Sequence, residues 1–426
     1  MLRNWEFQLP ARVQFGRGGL RKLGAATGQF GSSALLVGYC DCAPLAATWA
    51  KAIKSLTDAG VKVTEFLAVV GEPDPPLAAE GARLAREAGC NVMVALGGGS
   101  VIDAAKGIAV LATIGGDLWD YTDAAKEPRP VAAALPVIAV PTTAGTGAEV
   151  TSVAVFACDV RRTEPHSVQV PDETNRRKEG RSETPSYDEG RSGTPSYMVK
   201  ASLVSPAIFP KVAIVDPELA VGSPARLTAA WGADALGHAI EACMSRAANP
   251  ISTALAVRAV GLIVANLPRA VANPDDPEPR EPLALAATLA GAAFNAAGVT
   301  AAHAIAHALG AILHVPHAEA VAIATPLMLC YNAEACAEVY AELAVVCGLR
   351  AASPEELAAC FVEQIGELLR SVGLPERIAV PADAPPDLPA ALARNAVAHS
   401  PLPLRLNPRK LDEAALRELM GEICAQ

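Results

Sequence analysis

The sequence predicts an α/β domain with a parallel sheet over residues 1–217, followed by an all-α domain over residues 218–426. Three observations carry this reading. Up to about residue 220, short apolar runs alternate with helical patterns, as crossover helices covering a parallel sheet require. Past Asp216-Pro217 the strand signals fade, and long Ala- and Leu-rich segments take over. A chain of 426 residues is also more than one hydrophobic core ordinarily organises.

Taken in order, residues 34–37 predict a strand, 45–59 a helix, 61–69 a strand and 77–88 a helix. Residues 91–96 are a continuous apolar run, which suits a parallel strand buried on both faces. A helix opens near Ser100, 136–140 is a further strand, and 153–157 and 212–215 read as two more strands that close this half. The second half predicts helices over 228–247, 252–266, 282–297, 301–313, 333–347 and 354–372. Pro-rich linkers at 273–282 and 381–389 separate the helical pieces.

One segment departs from this plan. Residues 161–199 are rich in Arg, Glu, Ser, Thr and Pro, and they carry an imperfect ten-residue repeat. Glu179-Gly-Arg-Ser-Glu-Thr-Pro-Ser-Tyr187 is followed by Glu189-Gly-Arg-Ser-Gly-Thr-Pro-Ser-Tyr197. So polar a stretch cannot bury enough surface to offset its ordering entropy, and it reads as a mobile, tandem-duplicated surface insertion.

Composition removes several classes of function. The net charge is −10 with no basic cluster outside that insertion, which disfavours nucleic acid and anionic membranes as partners. The ten cysteines are scattered without metal-ligand spacing and read as reduced thiols. No apolar leader opens the chain, and a cytoplasmic location is the expectation. The 37 residues from 282 to 318 lack any Asp, Glu, Lys or Arg, a length that could span a bilayer. Four histidines, Asn295, three glycines and Pro316 interrupt that run, so buried helices around a polar site fit it better than a membrane-associated, non-enzymatic protein.

Candidate chemistry falls in both halves. Gly97-Gly98-Gly99-Ser100, with Asp103 a turn later, follows an apolar strand and opens a helix. Its small residues and free helix-start N–H groups suit a pyrophosphate, although a tight strand-to-helix turn would use the same residues. It is not the Gly-x-Gly-x-x-Gly fingerprint. A second loop, 141–149, offers Thr142, Thr143 and Thr146 at the end of a neighbouring strand, where open α/β sheets bind ligands. In the helical half, Asp234 and His238 stand four residues apart on one helix face. His303 and His307 repeat that spacing, and His317 follows Pro316. One carboxylate with three imidazoles makes a mixed oxygen and nitrogen site for Fe(II) or Zn(II). Hydride transfer between a nicotinamide cofactor and an alcohol needs both halves, one to hold the carrier and one to stabilise the alkoxide.

These motifs occur in an order that resembles the iron-containing (group III) alcohol dehydrogenase family. They are Gly97-Gly-Gly-Ser-x-x-Asp103, Pro141-Thr-Thr-x-Gly-Thr-x-x-Glu149, Pro210-x-x-x-x-Val-Asp-Pro217, Asp234-x-x-x-His238 and His303-x-x-x-His307 with His317. The resemblance implies a dinucleotide-binding α/β domain joined to a helical metal-binding domain, in a dehydroquinate synthase-like architecture. It implies Asp234, His238, His303 and His317 as metal ligands, Fe(II) foremost and Zn(II) as the alternative. It places His307 beside the nicotinamide as a proton-relay or positioning group. Gly98, Gly99, Ser100 and Asp103, with Thr142, Thr143, Thr146, Thr151 and Lys200, would hold NAD or NADP. A small alcohol or aldehyde would be the substrate, and a homo-oligomer, a dimer, the assembly. NAD-preferring members often carry an aspartate just after the first strand, where this chain reads Val37-Gly-Tyr-Cys-Asp41. The missing carboxylate admits NADP as well as NAD, unless Asp41 substitutes.

Other activities on the same architecture are a polyol dehydrogenase, a maleylacetate-type reductase, a hydroxyacid–oxoacid transhydrogenase and a dehydroquinate-synthase-like lyase. The full Asp/His/His/His set weighs against metal-free maleylacetate-type chemistry. Asp234 weighs against the lyase, whose pattern has Glu in that place.

Overall fold

The computed structural model describes residues 4–159, 198–382 and 384–424. Its strands are β1 (Arg12–Phe15), β2 (Ser33–Tyr39), β3 (Lys62–Val69), β4 (Val92–Gly97), β5 (Val137–Pro141), β6 (Val153–Asp159), β7 (Met198–Val204) and β8 (Val212–Val215). Six of them form one sheet in the order β1-β8-β5-β4-β2-β3, with every neighbour parallel. Helices α1 (Leu23–Thr27), α2 (Ala46–Asp58), α3 (Pro75–Glu87) and α4 (Gly99–Ile114) cover its faces. Every residue of β4, β5 and β8 is buried, because apolar clusters lie on both sides of the sheet.

Two expectations about this half need correction. The strand expected at 153–157 does not join the main sheet. It is β6, which pairs antiparallel with β7 in a separate ribbon, from Val153 opposite Val204 to Asp159 opposite Met198. The reason lies on α4, whose polar side chains reach the β6 backbone: Asp103 Oδ2 accepts the Val155 N–H at 3.0 Å. Lys106 Nζ donates to the carbonyls of Thr151 (2.9 Å) and Val153 (2.7 Å) and to Thr151 Oγ1 (3.1 Å). The polar insertion expected over 161–199 lies outside the described residues as far as 197. Its last two residues, Met198 and Val199, are instead the start of β7, and Val199 is buried. Strand β1 was not anticipated. It is a short edge strand with two exposed residues, so it carries no apolar run.

The second half is helical throughout, with α5 (Ala225–Met244), α6 (Pro250–Ala272), α7 (Arg280–Ala297), α8 (Ala301–Leu313), α9 (His317–Asn332), α10 (Ala337–Val346), α11 (Pro354–Ser371), α12 (Leu388–His399), α13 (Pro401–Leu406) and α14 (Glu413–Cys424). Helix α5 is its axis, and from Thr228 to Met244 every residue but Trp231 is buried. A cluster of α5, α6, α7, α10 and α11 forms one core, and α8, α9, α12 and α14 form another. By length and composition α6 could cross a membrane; a third of its apolar window is buried, and Ala256, Ala259, Val260, Ile263 and Leu267 pack that face into the first core. The uncharged 282–318 run divides into α7 and α8, which meet at 101° through Gly298. Helix α9 was not anticipated, since Pro326 stands inside it.

Lys106 is fully buried at the joint between α4 and the ribbon, and burial pushes its amine down to about 8 from 10.5. Lys106→Met is expected to lower stability by about 3–5 kcal/mol, the usual penalty for breaking a buried charged network, as measured by urea unfolding. Between pH 8 and 10.5 the folded chain has released this proton while the unfolded chain still holds it. Wild-type stability should therefore gain on that of the variant as the pH rises through that window.

Candidate active site

The carboxyl ends of β4 and β5 lie side by side, with Gly97 paired to Pro141. The two Gly- and Thr-bearing loops therefore leave the sheet together. Gly98 caps α4, and Gly98 and Gly99 pack so closely on the second loop that a Cβ on them would meet Thr143 Cγ2 at 2.9 Å and Thr146 Cγ2 at 2.5 Å. The result is a backbone-lined surface at a helix N-terminus, with partly exposed Ser100, Thr143 and Thr146 around it. Thr142 is buried, and its N–H is held by the Gly97 carbonyl at 2.9 Å. Asp103 and Thr151 stand behind this surface. Asp103 holds the β6 backbone, and the Thr151 hydroxyl is engaged by Lys106. At the end of β2, Tyr39 Oη accepts the Gly98 N–H at 3.2 Å, and Asp41 Oδ1 caps Ala43 N at 3.1 Å.

The four expected metal ligands converge from three helices. Asp234 and His238 lie one turn apart on α5, His303 is in the first turn of α8, and His317 opens α9. The turn that makes this possible is His314, the one non-glycine residue with positive φ (55°) among the described residues, which reverses the chain after α8. Asp234 Oδ1 stands 3.9 Å from His303 Nε2 and 3.7 Å from His317 Nε2, and Asp234 Oδ2 is 3.9 Å from His238 Nδ1. One ligand atom from each of Asp234, His238 and His303 lies within 4.8 Å of the others. These contacts are too long for hydrogen bonds. Asp234 Oδ1, His238 Nδ1 and His303 Nε2 are buried with no hydrogen-bond partner, a costly arrangement that a divalent cation among them would relieve. The donor set fits the metal.

The comparisons with known proteins agree with this geometry. Residues 10–171 match the family described as iron-containing alcohol dehydrogenase, and residues 228–424 match the C-terminal part of the same family. The chain is 32% identical to the NAD-dependent methanol dehydrogenase of Bacillus methanolicus, over 87% of each chain. That decides the family. The chain belongs to the iron-containing alcohol dehydrogenases. It is also 35% identical to the 1,3-propanediol dehydrogenase of Klebsiella pneumoniae, over 77% of this chain and 75% of the relative. Its structure superposes with a TM-score of 0.84 on an archaeal alcohol dehydrogenase from a Red Sea brine pool, at 28% identity over 99% of both chains.

The electrostatics of this dehydrogenase keep three of the four neighbouring imidazoles neutral. Burial pushes Asp234 up to about 6, against the opposing pull of His303 and Lys200. Burial, then the charge of His303, drives His238 well below its ordinary value. Burial, then Lys200 and His303, does the same to His317 and takes His307 to about 3. Neutral imidazole is the form that binds metal. His303 runs the other way. Burial would lower it, but the Glu241 carboxylate against its Nδ1 outweighs burial and raises it.

His307 lies beside the cluster, its ring centroid 5.5 Å from that of His317 and its Nδ1 3.3 Å from Ser400 Oγ. Lys200 reaches the same region from β7, with Nζ 2.5 Å from Glu72 Oε1 and close to Gly310 of α8. Two participants were missed from the sequence. Phe294 of α7 stacks on His238 with ring centroids 4.3 Å apart, and nothing in an apolar helix singles it out. Glu241 had a signal, since Asp234, His238 and Glu241 follow i, i+4, i+7 spacing along one face of α5.

The two halves come into backbone contact where Gly147 (φ 63°) meets Gly291 of α7; a Cβ on Gly147 would stand 2.4 Å from Gly291 Cα. Gly147→Ala adds a left-handed strain to a backbone clash. It is expected to cost about 2–4 kcal/mol, read as a lowered thermal midpoint.

Proposed function

We propose that this chain interconverts a small alcohol and its aldehyde or ketone by nicotinamide-linked hydride transfer. A divalent metal, Fe(II) foremost and Zn(II) as the alternative, would be held by Asp234, His238, His303 and His317. One observation carries the reading: an Asp/His/His set whose facing ligand atoms are buried and partnerless sits on helices of which α5 packs Trp231 against Gly145 of the 141–149 loop. The relatives' names, a methanol dehydrogenase using NAD and a 1,3-propanediol dehydrogenase, support a short alcohol as substrate.

When bound, the metal would supply Lewis acidity toward the substrate oxygen and the nicotinamide the hydride carrier. The chain's own residues do the rest. The N–H groups of Gly99 and Ser100 would face a pyrophosphate at the start of α4, while Gly98, its own N–H held by Tyr39, leaves room for the close approach. Thr142, Thr143 and Thr146 form the hydroxyl-bearing wall, and Asp103 and Thr151 fix that wall from behind. Lys200 brings a cation to the same opening. His307, kept neutral, is placed to take up or return the proton at the substrate oxygen, with Ser400 orienting its ring. Position 39 is Tyr and not a carboxylate, and Asp41 spends one oxygen on Ala43, so NAD and NADP stand as alternative carriers. The exposed sheet edge at β1 supports a homo-oligomer, and the expected setting is the cytoplasm.

The test is the Fe(II)- or Zn(II)-reconstituted protein with NADH and NADPH against a panel of short aldehydes. Stoichiometric loss of reduced-nicotinamide absorbance is expected. His303→Ala should lose bound metal by elemental analysis and at least about 100-fold in rate, more than loss of a supporting residue costs. Wild-type turnover in the metal-free variant would overturn the assignment.

A further inference from the structure

We infer that Glu241 is a positioning residue for the metal centre, fixing the tautomer and aim of His303 without touching the ion. The inference rests on the metal reading above and deepens it. Glu241 is 1% exposed, and its two oxygens do different work. Oε1 accepts from Thr300 Oγ1 at 2.7 Å and from the Ala302 N–H at 2.8 Å, closing the N-terminus of α8. Oε2 faces His303 Nδ1.

An ionised carboxylate only accepts hydrogen bonds. A proton of His303 must therefore sit on Nδ1, and Nε2, the nitrogen that offers a lone pair whenever the ring carries a single proton, is turned to the side where Asp234 Oδ1 and His317 Nε2 lie. His303 Nε2 is itself buried and without a partner, so the structure orients this nitrogen and gives it nothing of its own to bind. Carboxylates behind metal-bound histidines fix ring orientation and raise ligand basicity. Glu241 does this from α5, the helix that also carries Asp234 and His238. One helix thus sets two ligands directly and a third through its neighbour. With a divalent ion present, Asp234 and Glu241 also balance its charge inside the buried cluster.

A carboxylate capping α8 could serve the helix alone, and the test separates the two roles. In Glu241→Gln the amide oxygen can still serve Thr300 and Ala302. The amide nitrogen then donates to His303 Nδ1, which drives the ring proton to Nε2 and removes the ligand lone pair. Zn(II) titration of the metal-free protein should show affinity about 10–100-fold weaker than wild type, the usual cost of losing a supporting partner, with the metal-free thermal midpoint little changed. ¹⁵N spectra of the metal-free variant should show His303 protonated on Nε2. A lowered midpoint with wild-type Zn(II) affinity overturns the inference and leaves only the cap. If the Gln variant does not fold, Thr300→Val, which loosens Oε1 and leaves His303 intact, carries the same test. Weaker Zn(II) binding supports the inference, and wild-type binding overturns it. His303→Ala is the control for the reading beneath. If it loses Zn(II) while Glu241→Gln does not, only the role of Glu241 fails; if it binds as wild type, the metal site itself fails.

Discussion

A carboxylate and three imidazoles have to be held together, largely out of water, in helices whose one Lys or Arg, Arg226, is turned to Glu319 at the surface. That constraint organises the molecule. Asp234 is 3% exposed and burial pushes it up to about 6, so its ionised form is tolerated only because positive partners stand near. Burial of α5 supplies the low-dielectric surroundings in which a bound cation would be worth most. The uncharged stretch through α7 and α8 belongs to the same arrangement, since any further charge there would need its own partner.

Much of this was legible in the sequence, and the failures have physical causes. The parallel strands were readable because β4, β5 and β8 are buried on both faces and show as unbroken apolar runs. Strand β6 is equally apolar, so periodicity could not tell that its partner is β7. That choice is made by Asp103 and Lys106 across about fifty residues of chain. Helix α9 was hidden by Pro326, and β1 by its exposure. The clustered histidines stood out because ionisable groups are conspicuous in Ala-rich helices. Phe294 did not, because aromatic packing leaves no mark beyond one more apolar residue. Glu241 showed the right spacing but could be assigned only once α8 was seen to end on it.

Chain order also conceals how the two loops cooperate. Gly98 and Gly99 are more than forty residues from Thr143 and Thr146, yet neither glycine could carry a side chain without displacing the threonine opposite. The sheet brings them together through one register, Gly97 beside Pro141. The surface that the two loops share is therefore a property of the β4–β5 pairing and not of either loop alone.

The Gly147–Gly291 contact joins the halves without a side chain on either side. Beside it, Glu149 accepts from Thr288 Oγ1 at 2.8 Å, and Asn295 Oδ1 accepts from Ser152 N at 2.8 Å. Side chains that interlock resist rotation, whereas bare backbones bear on each other as a fulcrum does. The halves are thus pinned along α7 by one bare-backbone contact flanked by side-chain hydrogen bonds. Any residue larger than glycine at either position would therefore act as a wedge along α7.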